Sequence, residues 1–141
     1  MDEGIAMPHF HWESAYRHGV HALARGRKQR AIEDLERARD LAERAARPVL
    51  CARAGRALGD AYRVAGRERE AVTAYKLAAA MAQTAHNRLE IGLAHRDLGD
   101  VAAARGDTGT PVALWRCALN ALSPLRVVEV VEVAARLAVA E

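Results

Sequence analysis

Two series of glycines recur through this chain at an interval of 40 residues. Gly19, Gly59 and Gly99 form one series, and Gly26, Gly66 and Gly106 form the other. Together they absorb six of the ten glycines in a chain of 141 residues. Other positions keep the same register. Ala38, Ala78 and Ala118 align, as do Leu35, Tyr75 and Trp115 as large residues. Ala31 and Ala71 align with Pro111, and Leu58 and Leu98 align with His18. A sequence period in this range marks a supersecondary unit stacked on copies of itself.

Each unit reads as helix, tight turn, helix. The stretch LGDAYRVAG (58–66) is apolar at helical spacing and ends on a glycine suited to the left-handed conformation that stops a helix. The next stretch, REREAVTAYKLAAAMAQ (67–83), starts acidic and then repeats Ala71, Tyr75, Ala78 and Ala82 on one helical face. Alanine, leucine and arginine dominate the composition, and all three enter helices at little entropic cost. A chain with one Phe, three Tyr and two Trp has few large side chains to fill a core, so its helices must approach closely. Gly59 and Gly99 sit mid-helix, where glycine costs about 1 kcal/mol against alanine, and close helix approach is the return. Helices are expected over 10–24, 28–45, 49–64, 68–84, 88–104, 111–122 and 125–139. Pro48 and Pro124 punctuate the unit boundaries. Pro111 fits only in a first helical turn, so the sixth helix should start near Thr110.

The pattern resembles the tetratricopeptide repeat family. Its signature of Leu-Gly, a further small or aromatic residue, a turn glycine, an alanine, an aromatic and an alanine is met best by Leu58, Gly59, Tyr62, Gly66, Ala71, Tyr75 and Ala78. The third copy carries Leu98, Gly99, Ala102, Gly106, Pro111, Trp115 and Ala118, and the first carries His18, Gly19, Ala22, Gly26, Ala31, Leu35 and Ala38. The family's usual repeat is about 34 residues, so the helices here should each be longer; such long repeats are similar to those of kinesin light chains and of bacterial regulators. The resemblance implies an all-α, right-handed solenoid of three hairpins (9–47, 48–86 and 87–124). A loose tail over 1–8 and a C-terminal helix over 125–141 would flank them.

Family members present a concave groove lined by the first helix of each hairpin. The resemblance carries that groove to Glu13, Tyr16, Val20 and Leu23, then to Arg53, Arg56, Asp60 and Arg63, then to Arg96, Asp100 and Ala103. An arginine-rich groove suits an acidic or carboxylate-ended peptide, because guanidinium groups make forked bonds to carboxylates. The competing reading pairs Arg56 with Asp60 and Arg96 with Asp100 as surface salt bridges of small consequence. The lysines and asparagines of the family's chaperone-type carboxylate clamp are absent.

The segment LRVVEVVEVAARLAVAE (125–141) is too apolar for a capping helix that shows water a polar face. Three readings stand: a wide face packed inward, a self-association surface (Val127, Val130, Val131, Ala134, Leu137 and Ala138), or a face that a longer array would cover. A strand over VVEVVEV is conceivable from its β-branched content, but it lacks a partner elsewhere in the chain.

The remaining features point away from other functions. Net charge is +3 with interleaved signs, and the basic run RGRKQR (25–30) has no aromatics with which to stack bases, so nucleic acid is not expected as a partner. His9, His11, His18 and His21 read as surface histidines and not as a metal site. Cys51 and Cys117 stand far apart without paired spacing, read as core residues, and fit a reducing cytoplasm. No apolar run reaches membrane-spanning length, and MDEGIAMPHFHW lacks the layout of a secretory signal. No catalytic set or phosphate loop is suggested. The chain is therefore expected to be a protein-binding scaffold and not an enzyme, with no cofactor. A regulatory or sensor segment, or a structural homo-oligomer assembled through the last helix, are the alternatives.

Overall fold

A computed structural model describes residues 8–140. Among the described residues seven α-helices follow one another: α1 (Pro8–Ala24), α2 (Lys28–Arg44), α3 (Pro48–Val64), α4 (Glu68–Thr84), α5 (Arg88–Ala104), α6 (Gly109–Leu122) and α7 (Glu129–Ala140). A short 3-10 turn, Ser123–Leu125, links the last two. Among the described residues there is no strand, and each helix packs on the next in the manner of an all-α solenoid. The starts of α1, α3 and α5 (Pro8, Pro48 and Arg88) keep the 40-residue interval of the glycines. Of the tail expected over 1–8, only Pro8 is among the described residues, and it opens α1, where proline's missing N–H costs nothing.

The turns inside the hairpins follow from their glycines. Gly26, Gly66 and Gly106 have φ of +75°, +77° and +89°. At Gly66 the following Arg67 N–H donates to Tyr62 O at 2.8 Å, and Gly66 N–H to Arg63 O at 3.0 Å, the paired bonds that close a helix end. The turns between hairpins use the same geometry without glycine: Ala46, His86 and Arg126 have φ of +53°, +52° and +55°. These three positions also keep the 40-residue interval. The left-handed Arg126 explains why α7 starts at Glu129 and not at 125, since a helix cannot run through it. Pro111 lies in the first turn of α6, which opens two residues earlier at Gly109.

Packing explains the mid-helix glycines. A Cβ on Gly59 would lie 2.4 Å from Tyr75 Cε1, one on Gly19 2.5 Å from Leu35 Cγ, and one on Gly99 2.5 Å from Trp115 Nε1. The large residue of each second helix thus lies against the bare backbone of the first. Where that residue is aromatic and polar, the first helix supplies an acceptor one position beyond the glycine. Tyr75 donates to Asp60, and Trp115 Nε1 donates to Asp100 Oδ1 at 3.0 Å. In the first hairpin Leu35 needs no acceptor, and the equivalent position is Val20.

The two kinds of helix are buried differently. α4 buries a single stripe, Ala71, Ala74, Tyr75, Ala78 and Ala82, against its own hairpin. α3 is buried nearly all round, through Cys51, Ala52, Ala54, Gly55, Ala57, Leu58, Gly59, Ala61 and Tyr62, because it meets α2, α4 and α5. One cluster joins Leu35, Leu58, Tyr62, Tyr75 and Val101 across the three hairpins. Cys51 belongs to the core, but Cys117 does not: it is exposed on the outer side of α6.

Gly59→Ala should lower the unfolding free energy by about 2 kcal/mol in urea, because overpacking a pinned ring outweighs alanine's helix preference. Gly55→Ala, whose Cβ would meet only Ala78 Cβ at 3.1 Å, should change it much less. Ala46→Gly should raise the unfolding free energy by about 1 kcal/mol, because it removes the left-handed strain of a side-chain-bearing residue.

Candidate functional site

The inner face is built by the first helices, α1, α3 and α5, which line one open groove of about 760 Å³. Its apolar surface comes from Trp12, Tyr16 and Val20, one turn apart on α1, with Leu50 of α3 and Leu89 and Leu93 of α5. Trp12 and Tyr16 stack with ring centroids 4.8 Å apart. Arg17, Arg47, Arg53 and Arg56 face Glu13 and Glu90 around this surface, which leaves cationic charge in excess. Arg17 is answered by Glu13 at 2.9 Å. Arg47 has no ion-pair partner among the described residues.

Beneath the groove two carboxylates are buried, Glu90 at 2 % and Asp97 at 4 % exposure. They lie two turns apart on one face of α5 and both point at α3. Arg56 Nε donates to Glu90 Oε1 at 2.9 Å, and its Nη1 stands 3.6 Å from Asp97 Oδ2. Burial works against the charge on Arg56, but Glu90 and then Asp97 outweigh it and hold its pKa above the usual value. Arg53 is half-exposed and reaches Glu90 Oε2 only through a long Nε contact of 3.4 Å, so its terminal amino groups remain open to the groove. Asn87 caps α5 by accepting from Glu90 N–H at 2.9 Å, which seats the Glu90 backbone. Asp97 accepts from Arg96 at 3.0 Å and 3.1 Å through Oδ1, while its buried Oδ2 has no hydrogen-bond donor among the described residues. Burial pushes the Asp97 carboxyl up to about 6, with the charge of Asp60 adding to burial and Arg96 and Arg56 opposing it.

The residues expected to form one groove therefore fall in separate places. Glu13, Tyr16, Val20, Arg53 and Arg56 line it together. Leu23 packs against the core and Ala103 is exposed elsewhere. Asp60 and Arg63 lie with Val64 in a distinct shallow depression of about 400 Å³. Arg96 is turned to Asp97 and, at 3.9 Å, to Glu132 of α7. Asp100 accepts from Arg136 Nε at 2.8 Å. The anticipated Arg56–Asp60 and Arg96–Asp100 pairs are thus not formed: Arg56 crosses to α5, Asp100 receives Arg136 of α7, and Arg96 bonds its own neighbour Asp97. Asp60 and Asp100 are occupied by Tyr75 and Trp115, and the buried acids of α5 capture the arginines.

Glu90 and Asp97 escaped the sequence reading, although a signal existed. One period earlier their positions hold Leu50 and Ala57, so two acids seven residues apart occupy apolar places of the repeat. Trp12, Leu50 and Leu93 were missed because they lie one turn from the inherited groove positions, and Arg47 and Leu89 because they lie about two turns from them.

On α7, Val133 and Leu137 are buried, Val130 is half-buried, and Val131, Ala134 and Ala138 are exposed; Val127, just before the helix, is half-buried. The segment is helical and not a strand. Among the described residues no group of three or more His, Cys, Asp or Glu is placed to hold a metal, and His11, His18 and His21 are exposed; the side chain of His9 lies outside the described residues. No described helix is long and apolar enough to cross a membrane. No protein-family model matches the chain, and no curated protein matches it.

Asp97 gives a pH signature. Its folded pKa of about 6 lies above its usual 3.8, so between those values the folded chain keeps a proton that the unfolded chain has lost. The associated stability is complete below about pH 4 and is lost as the pH rises through 6. Relative to Asp97→Asn, the native chain should lose about 2–3 kcal/mol of unfolding free energy between pH 4 and pH 7. Urea titrations of both proteins across that range check it, and parallel profiles would contradict it.

Proposed function

We propose that this chain is a tetratricopeptide-type binding module that holds an acidic, leucine-bearing protein segment along its inner groove. The observation that carries the reading is the pairing, in one open groove, of an apolar surface with guanidinium groups that the protein leaves uncommitted. Arg47 has no ion-pair partner among the described residues, and Arg53 spends one long contact on Glu90. A carboxylate arriving there gains forked, charge-assisted bonds, while its apolar neighbours cover Tyr16, Val20, Leu50 and Leu89.

Arg56 is a different kind of residue in this reading. Its side chain is 16 % exposed and shared between two buried acids, so it braces α3 against α5 and is poorly placed to meet a ligand. The reading is of a binding module and not of an enzyme: the polar groups that converge in the groove, Arg53, Arg56 and Glu90, bond one another, and the others lie along its rim. A reducing cytoplasm, in which Cys51 and Cys117 stay free, is the compartment assigned to it.

Selection of short random peptides on the native chain tests the proposal. Bound sequences should be enriched in Asp or Glu interspersed with Leu or Phe, and binding should weaken as salt rises. Combining Arg47→Glu with Arg53→Glu should lower affinity for the selected peptides at least about tenfold, or about 1.4 kcal/mol. Far-ultraviolet circular dichroism should stay unchanged, because both side chains are exposed. Enrichment in Lys and Arg, or affinity indifferent to the double reversal, would refute it.

A further inference from the structure

We propose that the outer face of α7 is a homodimer interface, on which two copies of the chain pack antiparallel about a two-fold axis. α7 has three faces. Val133 and Leu137 are buried on the third hairpin, with Trp115 and Leu122 of α6. Glu132 and Arg136 form a polar flank turned to α5, toward Arg96 and Asp100. The third face is apolar and open: Val131 and Val139 are 70 % and 90 % exposed, with exposed Ala135 between them, and Val128, just before the helix, extends the stripe at 69 %. The helix is thus apolar both on the face buried in the protein and on the face turned to water, with its polar groups confined to a flank, unlike a cap with a polar outer face.

The register shows what does not cover this face. Position 139 lies one period beyond Gly99, the glycine that lets the second helix of the hairpin come close. At Gly99 a Cβ alone would stand 2.5 Å from Trp115 Nε1. Val139 brings a full side chain to that place. A helix that set a large side chain against this position, as α4 and α6 do, would clash with Val139, so the occupant must accept valine knobs.

A second copy meets that requirement. Beside the stripe lies a depression of about 620 Å³, with Trp115, Ala135, Val139 and Ala140 as its apolar lining and Glu132 and Arg136 on its polar side. Centring the two-fold axis near Ala135 sets Val131 of each copy over the Val139 edge of the other copy's depression. The patch then supplies both knob and socket, as a closed isologous contact requires. The charges agree with the antiparallel sense. Glu132 precedes Arg136 by one turn on one flank, so reversing the partner brings Glu132 of each copy beside Arg136 of the other. Glu132 is half-exposed and only 3.9 Å from Arg96, which leaves it free for that second contact. A parallel pair would separate these flanks. The exposed valines offer on the order of 300 Å² per copy, less than the roughly 800 Å² per partner of a standard stable interface. The dimer is accordingly weak, with a dissociation constant on the order of tens of micromolar.

Sedimentation equilibrium of the full chain from about 5 µM to about 500 µM tests the proposal around that constant. A monomer–dimer equilibrium without larger species is expected. Val131→Asp combined with Val139→Asp should abolish the dimer while leaving helix content and Tm unchanged, since both side chains are exposed. In a Cys117→Ser background, Ala135→Cys should oxidise to a covalent dimer, and Val128→Cys, far from the axis, should not. A native chain that stays monomeric to about 500 µM, or a double variant that dimerises like the native chain, would overturn the interface. Open-ended assembly would overturn its two-fold closure, and faster cross-linking at Val128 than at Ala135 would overturn the antiparallel sense.

Discussion

A large side chain resting on bare helical backbone is the contact on which this structure depends. Tyr75 against Gly59, Trp115 against Gly99 and Leu35 against Gly19 bring the two helices of each hairpin together. A chain built largely of alanine has little bulk with which to fill a core, so its helices must be close for dispersion contacts to accumulate. The glycines remove the only atoms that would hold them apart. The polar aromatics then need acceptors where water is excluded, and Asp60 and Asp100 stand one residue beyond the glycine to provide them. One local device thus combines close approach with hydrogen-bond satisfaction.

Because those aspartates are taken by aromatics, the arginines of the inner face look elsewhere. Arg56 crosses to Glu90 and Asp97 on the next hairpin, and Arg96 joins Asp97. Contacts between neighbouring hairpins therefore include charge, whereas contacts within a hairpin are mostly apolar. Burying two carboxylates is costly, and the raised pKa of Asp97 expresses that cost. The same network uses up Arg56 and Arg96 and leaves Arg47 and Arg53 facing the groove. The division between structural and available arginines is the electrostatic basis for reading the groove as a site for an acidic segment.

α7 extends the logic of the repeat and departs from it at one position. It sits against α6 and α5 as another first helix would, and it joins them through Arg136 and Asp100. Val139 in the glycine position removes the close approach that every earlier hairpin uses. The face in register with that glycine carries the exposed side chains of Val131 and Val139.

Much of the fold was legible in the chain. The 40-residue glycine interval, the apolar stripes of Ala71, Tyr75, Ala78 and Ala82, and Pro48 at a boundary fix helical hairpins and their register, because these are local or periodic constraints that any copy must satisfy. The left-handed turns at Ala46, His86 and Arg126 were not legible, because no glycine marks them and the hairpins' packing imposes that conformation. The groove was visible in outline through Tyr16 and Arg53 but not in composition, since Trp12, Arg47 and Leu89 are brought beside them by stacking. Arg56 and Asp60 have the spacing of a helical ion pair, yet each bonds across to a different helix. Local sequence decides where helices start, stop and turn their apolar faces. Which charged group meets which is decided by distances between helices, and those arise only when the hairpins are stacked.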